Sequence, residues 1–172
     1  MAEILSAQYK SVFTTPKNTP PPLPLRDINQ VLNDIEILEG DMTNALQSTS
    51  PWAAPGPDGV SAYFLKTYAK EIAPALCILW RMSLDTGIMP DDINLAYITP
   101  IFKGGDKSVP ANYRPVALTN IITKAFEKIV KQEIVLHLSA HNILNNTQHG
   151  FTSGRSTLTN LIEYYESMLL LL

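Results

Sequence analysis

Pro20-Pro21-Pro22-Leu23-Pro24 is the feature that most restricts this chain, because four of these five residues lack a backbone N–H and have φ fixed near one value. Such a run joins neither a helix interior nor a sheet ladder, and it reads as an extended linker. Residues 1–25 are accordingly expected to be a flexible, proline-rich N-terminal segment, with the folded domain occupying residues 26–172. With 45% hydrophobic residues, the remainder has enough apolar side chain for a real core.

The net charge of −3 and pI near 5.5 argue, taken alone, against a strong nucleic-acid binder. The charge is unevenly placed. Residues 1–100 hold six Lys/Arg and eleven Asp/Glu, whereas residues 101–155 hold seven against three, so a polyanion partner should meet the second half. The single cysteine, Cys77, lies in an apolar run and reads as a small buried hydrophobe, not a reactive thiol. The first residues lack the pattern of a signal peptide, and the closing leucine run is too short to span a bilayer. The expected location is intracellular, cytoplasmic or nuclear, with no membrane partner.

Periodicity supplies the elements. Residues 34–38 alternate polar and apolar and predict a short strand, followed by a helix over 41–47. Phe64, Leu65 and Tyr68 predict a helix from Ser61, and a second, largely buried one runs over 73–86 to a stop at Gly87. Residues 94–103 and 113–118 predict two strands joined by a long turn through Gly104-Gly105-Asp106. Thr119 is placed to cap an amphipathic helix with Ile122, Phe126, Ile129 and Val130 on one face and Lys124, Lys128 and Lys131 elsewhere. A last helix from about Ser156 is expected to bury Leu158, Leu161, Ile162 and Tyr165. The fold class that results is mixed α/β, helix-dominated, with one hairpin.

Three loops carry residue types that packing alone does not require. In the first, Pro55-Gly56-Pro57-Asp58-Gly59, the pattern says rigid turn. In the second, Lys103 and Arg114 stand near facing ends of the two strands, so a hairpin brings both cations to one surface. A point charge beside a planar fork suits a triphosphate. The plainer alternative is a solvated turn lysine and an arginine paired locally, for example with Asp106. In the third, residues 148–156 combine Gly150, Phe151, Gly154 and Arg155 with a helix start, which reads equally as a phosphate cradle or an ordinary helix entry. Asp91-Asp92 suits a helix cap or a solvated turn better than a metal pair. His137 and His141 lack the further ligands of a zinc site.

In order, Ala54-Pro55-Gly56-Pro57-Asp58-Gly59, Gly87-Ile88-Met89-Pro90, Ile98-Thr99-Pro100-Ile101-Phe102-Lys103-Gly104-Gly105-Asp106, Asn112-Tyr113-Arg114-Pro115-Val116-Ala117-Leu118-Thr119, and Gln148-His149-Gly150-Phe151 with Gly154-Arg155-Ser156-Thr157 resemble the fingers region of non-LTR (LINE-type) retrotransposon reverse transcriptases. The resemblance spans roughly residues 34–168. It implies an RNA-directed DNA polymerase with fingers, palm and thumb, of which this chain holds the fingers and the beginning of the palm. By the same resemblance Lys103 and Arg114 contact the phosphates of an incoming deoxynucleoside triphosphate. Pro57, Asp58, Gly59, Gly150, Phe151, Gly154 and Arg155 then lie along the template, in an RNA or RNA–DNA hybrid. The family works with Mg²⁺ held by palm aspartates. No counterpart of those aspartates is present, so the expectation is a truncated, catalytically incomplete piece with no catalytic residue, metal ligand or cofactor of its own. A non-catalytic RNA-binding module and a decayed element fragment are the alternatives. Ile93 and Thr152 depart from the family, which often has Trp and a basic residue at those places.

Overall fold

The computed structural model describes residues 2–14, 31–32, 34–145 and 147–169. The proline run and the end of the leucine run lie outside them. Helix α1 (Ala2–Ser11) is followed by α2 (Glu39–Gln47), α3 (Ala62–Thr67) and α4 (Ala69–Thr86). Strands β1 (Ala96–Phe102) and β2 (Tyr113–Thr119) then form one antiparallel hairpin, and α5 (Ile121–Ala140) and α6 (Thr157–Leu169) complete the order.

Helices α2 to α5 enclose the core. Met42, Leu46, Leu65, Ala73, Trp80, Ile121, Phe126 and Ile129 are all buried in one cluster. At its centre Trp80 stacks on Phe126, ring centroids 4.3 Å apart and planes within 9°. Small residues at Ala69 and Ala73 let neighbouring helices come close to α4. Helix α3 starts at Ser61, whose hydroxyl accepts the Phe64 N–H, an ordinary N-cap. Helix α4 stops at Gly87, which takes φ 68° and donates its N–H to the Ser83 carbonyl. A left-handed residue suits Gly because no Cβ meets the carbonyl. Gly87→Ala is therefore expected to cost about 1 kcal/mol in a denaturant melt, with no change in secondary structure by circular dichroism.

The structure changes several expectations. Residues 34–38 form no strand. They find no partner strand, and Arg81 of α4 holds them instead, its Nη1 donating to Asp34 Oδ1 at 3.0 Å and to the Ile35 carbonyl at 3.2 Å while the same guanidinium pairs with Asp85. Thr119 ends β2 instead of capping α5; Asn120 occupies the cap position. Helix α6 forms where expected but buries nothing: Leu158, Leu161, Ile162 and Tyr165 are all exposed, since no other described element covers that face. The N-terminal stretch contributes α1, a segment rich in Ala, Leu, Glu and Gln for which the sequence reading gave no element. Among the described residues no helix is long and apolar enough to cross a membrane.

Candidate functional site

The hairpin register decides which side chains share a face. Ile101 lies opposite Arg114, and Phe102 opposite Tyr113. The pairing continues one step beyond the strand, with the Lys103 N–H donating to the Asn112 carbonyl at 2.9 Å. Because strand side chains alternate, Lys103 falls on the same face as Ile101 and therefore on the face of Arg114. The opposite face presents Ile98, Pro100 and Pro115 to Leu5, Tyr9 and Phe13 in the α1 region, across a groove of about 330 Å³. Helix α1 thus lines a groove on the back of the hairpin, where Ile98, Pro100 and Pro115 stay exposed, while Lys103 and Arg114 stand exposed on the other face.

Neither Lys103 nor Arg114 forms an ion pair with a described residue. Asp106, the local partner considered for Arg114, instead accepts from the Ser108 N–H and hydroxyl, both at 2.8 Å. Those bonds hold its carboxyl below the usual carboxylate range. Two exposed cations on one open face, uncompensated by neighbours, suit an anion from solution.

The loop of residues 55–59 is organised by Asn120. Gly56 is buried so tightly that an added Cβ would lie 2.3 Å from Asn120 Oδ1 and 2.6 Å from its backbone N and Cα. The same Oδ1 accepts the Asp58 N–H at 3.2 Å, and Nδ2 reaches the Asp92 and Ile93 carbonyls at 3.4 and 3.5 Å. Asn120 is almost fully buried, yet both ends of its amide are engaged. It joins the Pro-Gly-Pro-Asp-Gly turn, the turn at residues 91–93 and the start of α5. The sequence reading missed it, although an Asn immediately before an apolar helical run is a recognisable signal.

A third local structure holds the remaining candidates. His149 is buried, with Nδ1 2.8 Å from Thr159 Oγ1 and Nε2 against Glu163 of α6. Arg155 joins from the side, its Nη1 3.9 Å from the same carboxylate. Ser156 and Thr159 exchange bonds at the start of α6, which occupies donors that a phosphate there would need. Above this anchor Phe151 takes φ 58° and stands wholly in solvent. Thr152, at the place where the family often has a cation, turns its hydroxyl back onto the Gln148 carbonyl at 3.1 Å. The structure thus gathers Lys103 with Arg114, and Pro57 and Asp58 with Gly59. Gly150, Phe151, Gly154 and Arg155 belong to the loop anchored on α6.

Among the described residues no cluster of three or more His, Cys, Asp or Glu could hold an ion. Asp91 and Asp92 sit in an exposed 3₁₀ turn, and His137 and His141 meet edge to face at 4.5 Å. These residues do not fit the paired Mg²⁺ ions of a polymerase. Burial, then Glu39 and Asp41, push the Cys77 thiol up, away from the thiolate form that a reactive cysteine needs.

No family model matches the chain. It is similar to two curated proteins of Drosophila melanogaster. One is a probable RNA-directed DNA polymerase from transposon X-element, 29% identical over 117 residues, which is 67% of this chain and 13% of the relative. The other is a probable RNA-directed DNA polymerase from transposon BS, 26% identical over 119 residues, 69% of this chain and 13% of the relative. These similarities support a reverse-transcriptase-like relationship at the level of the family. The matched stretch spans about an eighth of the length of either relative.

Proposed function

We propose that this chain is the fingers part of a LINE-type reverse transcriptase, with the start of the palm, and that its task is to bind nucleotide and template. The observation that carries the reading is the open hairpin face with Lys103 and Arg114 together and unpaired. The order of the sequence motifs and the two transposon polymerase similarities support it. On this reading Lys103 meets a triphosphate as a point charge and Arg114 grips it as a fork. The turn at Pro57, Asp58 and Gly59 and the loop with Gly150, Phe151, Gly154 and Arg155 follow the RNA template or RNA–DNA hybrid. Residues 1–25 precede the domain proper, which occupies 26–172. Catalysis belongs to carboxylates and Mg²⁺ that the described residues do not supply.

The test is calorimetric titration with a deoxynucleoside triphosphate and, separately, with single-stranded RNA. Joint Lys103→Ala and Arg114→Ala substitution should weaken triphosphate affinity about tenfold or more, given charge-assisted bonds of this kind. Both side chains are exposed, so the thermal melt should stay unchanged. Equal affinity in the variant would overturn the assignment. Primer extension on an RNA template with Mg²⁺ should give no product from this chain alone, and measurable incorporation would refute the binding-only reading.

A further inference from the structure

The loop between α2 and the Pro-Gly-Pro-Asp-Gly turn carries a second arrangement that the hairpin reading does not use. Helix α2 ends in two successive residues that each receive an ammonium group. Lys128 of α5 donates to Ser48 Oγ at 2.7 Å, and Lys66 of α3 donates to the Thr49 carbonyl at 3.2 Å. No described carboxylate comes within ion-pair distance of either lysine, so both charges remain uncompensated. Lys124 stands one turn before Lys128 on α5, also exposed. Lys128 also lines a polar groove with Asp41 and Glu133, neither of them within ion-pair distance of it.

Three residues beyond Thr49 the chain presents Trp52, 91% exposed. The loop that carries it is built rather than slack. Ser50 accepts the Trp52 N–H on its hydroxyl at 3.4 Å and the Ala53 N–H on its carbonyl at 3.0 Å, and Ala53 packs against the core. Three Cα steps limit the separation of Trp52 from Thr49 to about 11 Å. Two lysine ammonium groups without a carboxylate partner, held at Ser48 and Thr49, and a large exposed aromatic side chain three residues further along a hydrogen-bonded loop match one ligand chemistry: phosphates flanking an unpaired base.

We propose that Trp52, with Lys66 and Lys128, is a stacking site for an unpaired nucleobase of single-stranded RNA, the lysines taking the adjoining phosphates. The proposal rests on the template-binding reading above only in naming RNA as the polyanion. It adds a specificity, because a base already stacked in a duplex cannot cover the indole.

The two tryptophans make the test direct. Trp80 is fully buried and reports the fold, while Trp52 reports the loop. A dye-labelled single-stranded oligoadenylate is titrated into the full chain, with anisotropy measuring binding and acrylamide quenching measuring access to tryptophan. Binding should shield the accessible tryptophan, and a duplex of equal length should not. Trp52→Ala should weaken single-strand affinity about tenfold, and Trp52→Tyr should retain most of it. Lys66→Gln or Lys128→Gln should each reduce the salt slope by about one. If the oligonucleotide binds while quenching is unchanged and Trp52→Ala binds equally well, this site is refuted and the hairpin reading stands. If no RNA binds at low salt, this site and the template-binding reading both fall.

Discussion

Trp80→Ala is expected to lower the unfolding free energy by about 3–5 kcal/mol. The indole is wholly buried, lies face to face with Phe126, and is the largest of the fully buried side chains. Its removal leaves a void among four helices, and α2 and α5 lose their common surface on α4. A calorimetric or circular-dichroism melt should show the midpoint falling by on the order of 10 °C for a domain of this size. Trp80→Phe separates two contributions. It keeps a ring against Phe126 and deletes the buried indole N–H, which has no hydrogen-bond partner among the described residues. The expected cost is therefore on the order of 1 kcal/mol. Equal losses in the two variants would show that the cavity is not the main term.

Gly56→Ala should cost about 3 kcal/mol or more, although it adds one methyl group in a surface-derived loop. The atoms that the new Cβ would strike include the backbone N and Cα of Asn120, which begin a twenty-residue helix and cannot rotate away. Either the loop or the start of α5 must shift, and the bond from the Asp58 N–H to Asn120 Oδ1 goes with it. The control is Gly40→Ala in α2, where nothing lies within 4 Å of the added atom. There the helix-forming preference of Ala should raise stability by up to about 1 kcal/mol. A denaturant series on both variants checks the contrast, and a neutral Gly56→Ala would mean that the close approach to Asn120 is relaxed in solution.

Much of this architecture was legible in the residues. The hairpin followed from two β-favouring runs and a Gly-Gly-Asp turn, and α4 from a long apolar stretch ending in glycine, because both signals are local. What was not legible depends on partners distant in sequence. The alternation over residues 34–38 is a valid strand pattern, but a strand needs a neighbour, and among the described residues the segment's partner is the Arg81 side chain. The amphipathic face of α6 was visible in Leu158, Leu161 and Ile162, yet a pattern names a face without naming what covers it. Asn120 is the sharpest case: its neighbours at Asp58 and Asp92 lie 62 and 28 residues away, so only the assembled fold shows that one amide holds two turns. The face shared by Lys103 and Arg114 sits between these extremes. Facing strand ends suggested it, and the register supplies the alternation that puts both on one side.

The hairpin's pairing is chiefly internal, one strand with the other, and a groove separates its back from α1, while the buried cluster is built by α2 to α5. The stability of the buried cluster and the exposed charge of the hairpin therefore belong to different parts of the chain. Substitutions along the cationic face should leave the melting temperature untouched, and a screen that ranks variants by thermal stability would pass over them entirely.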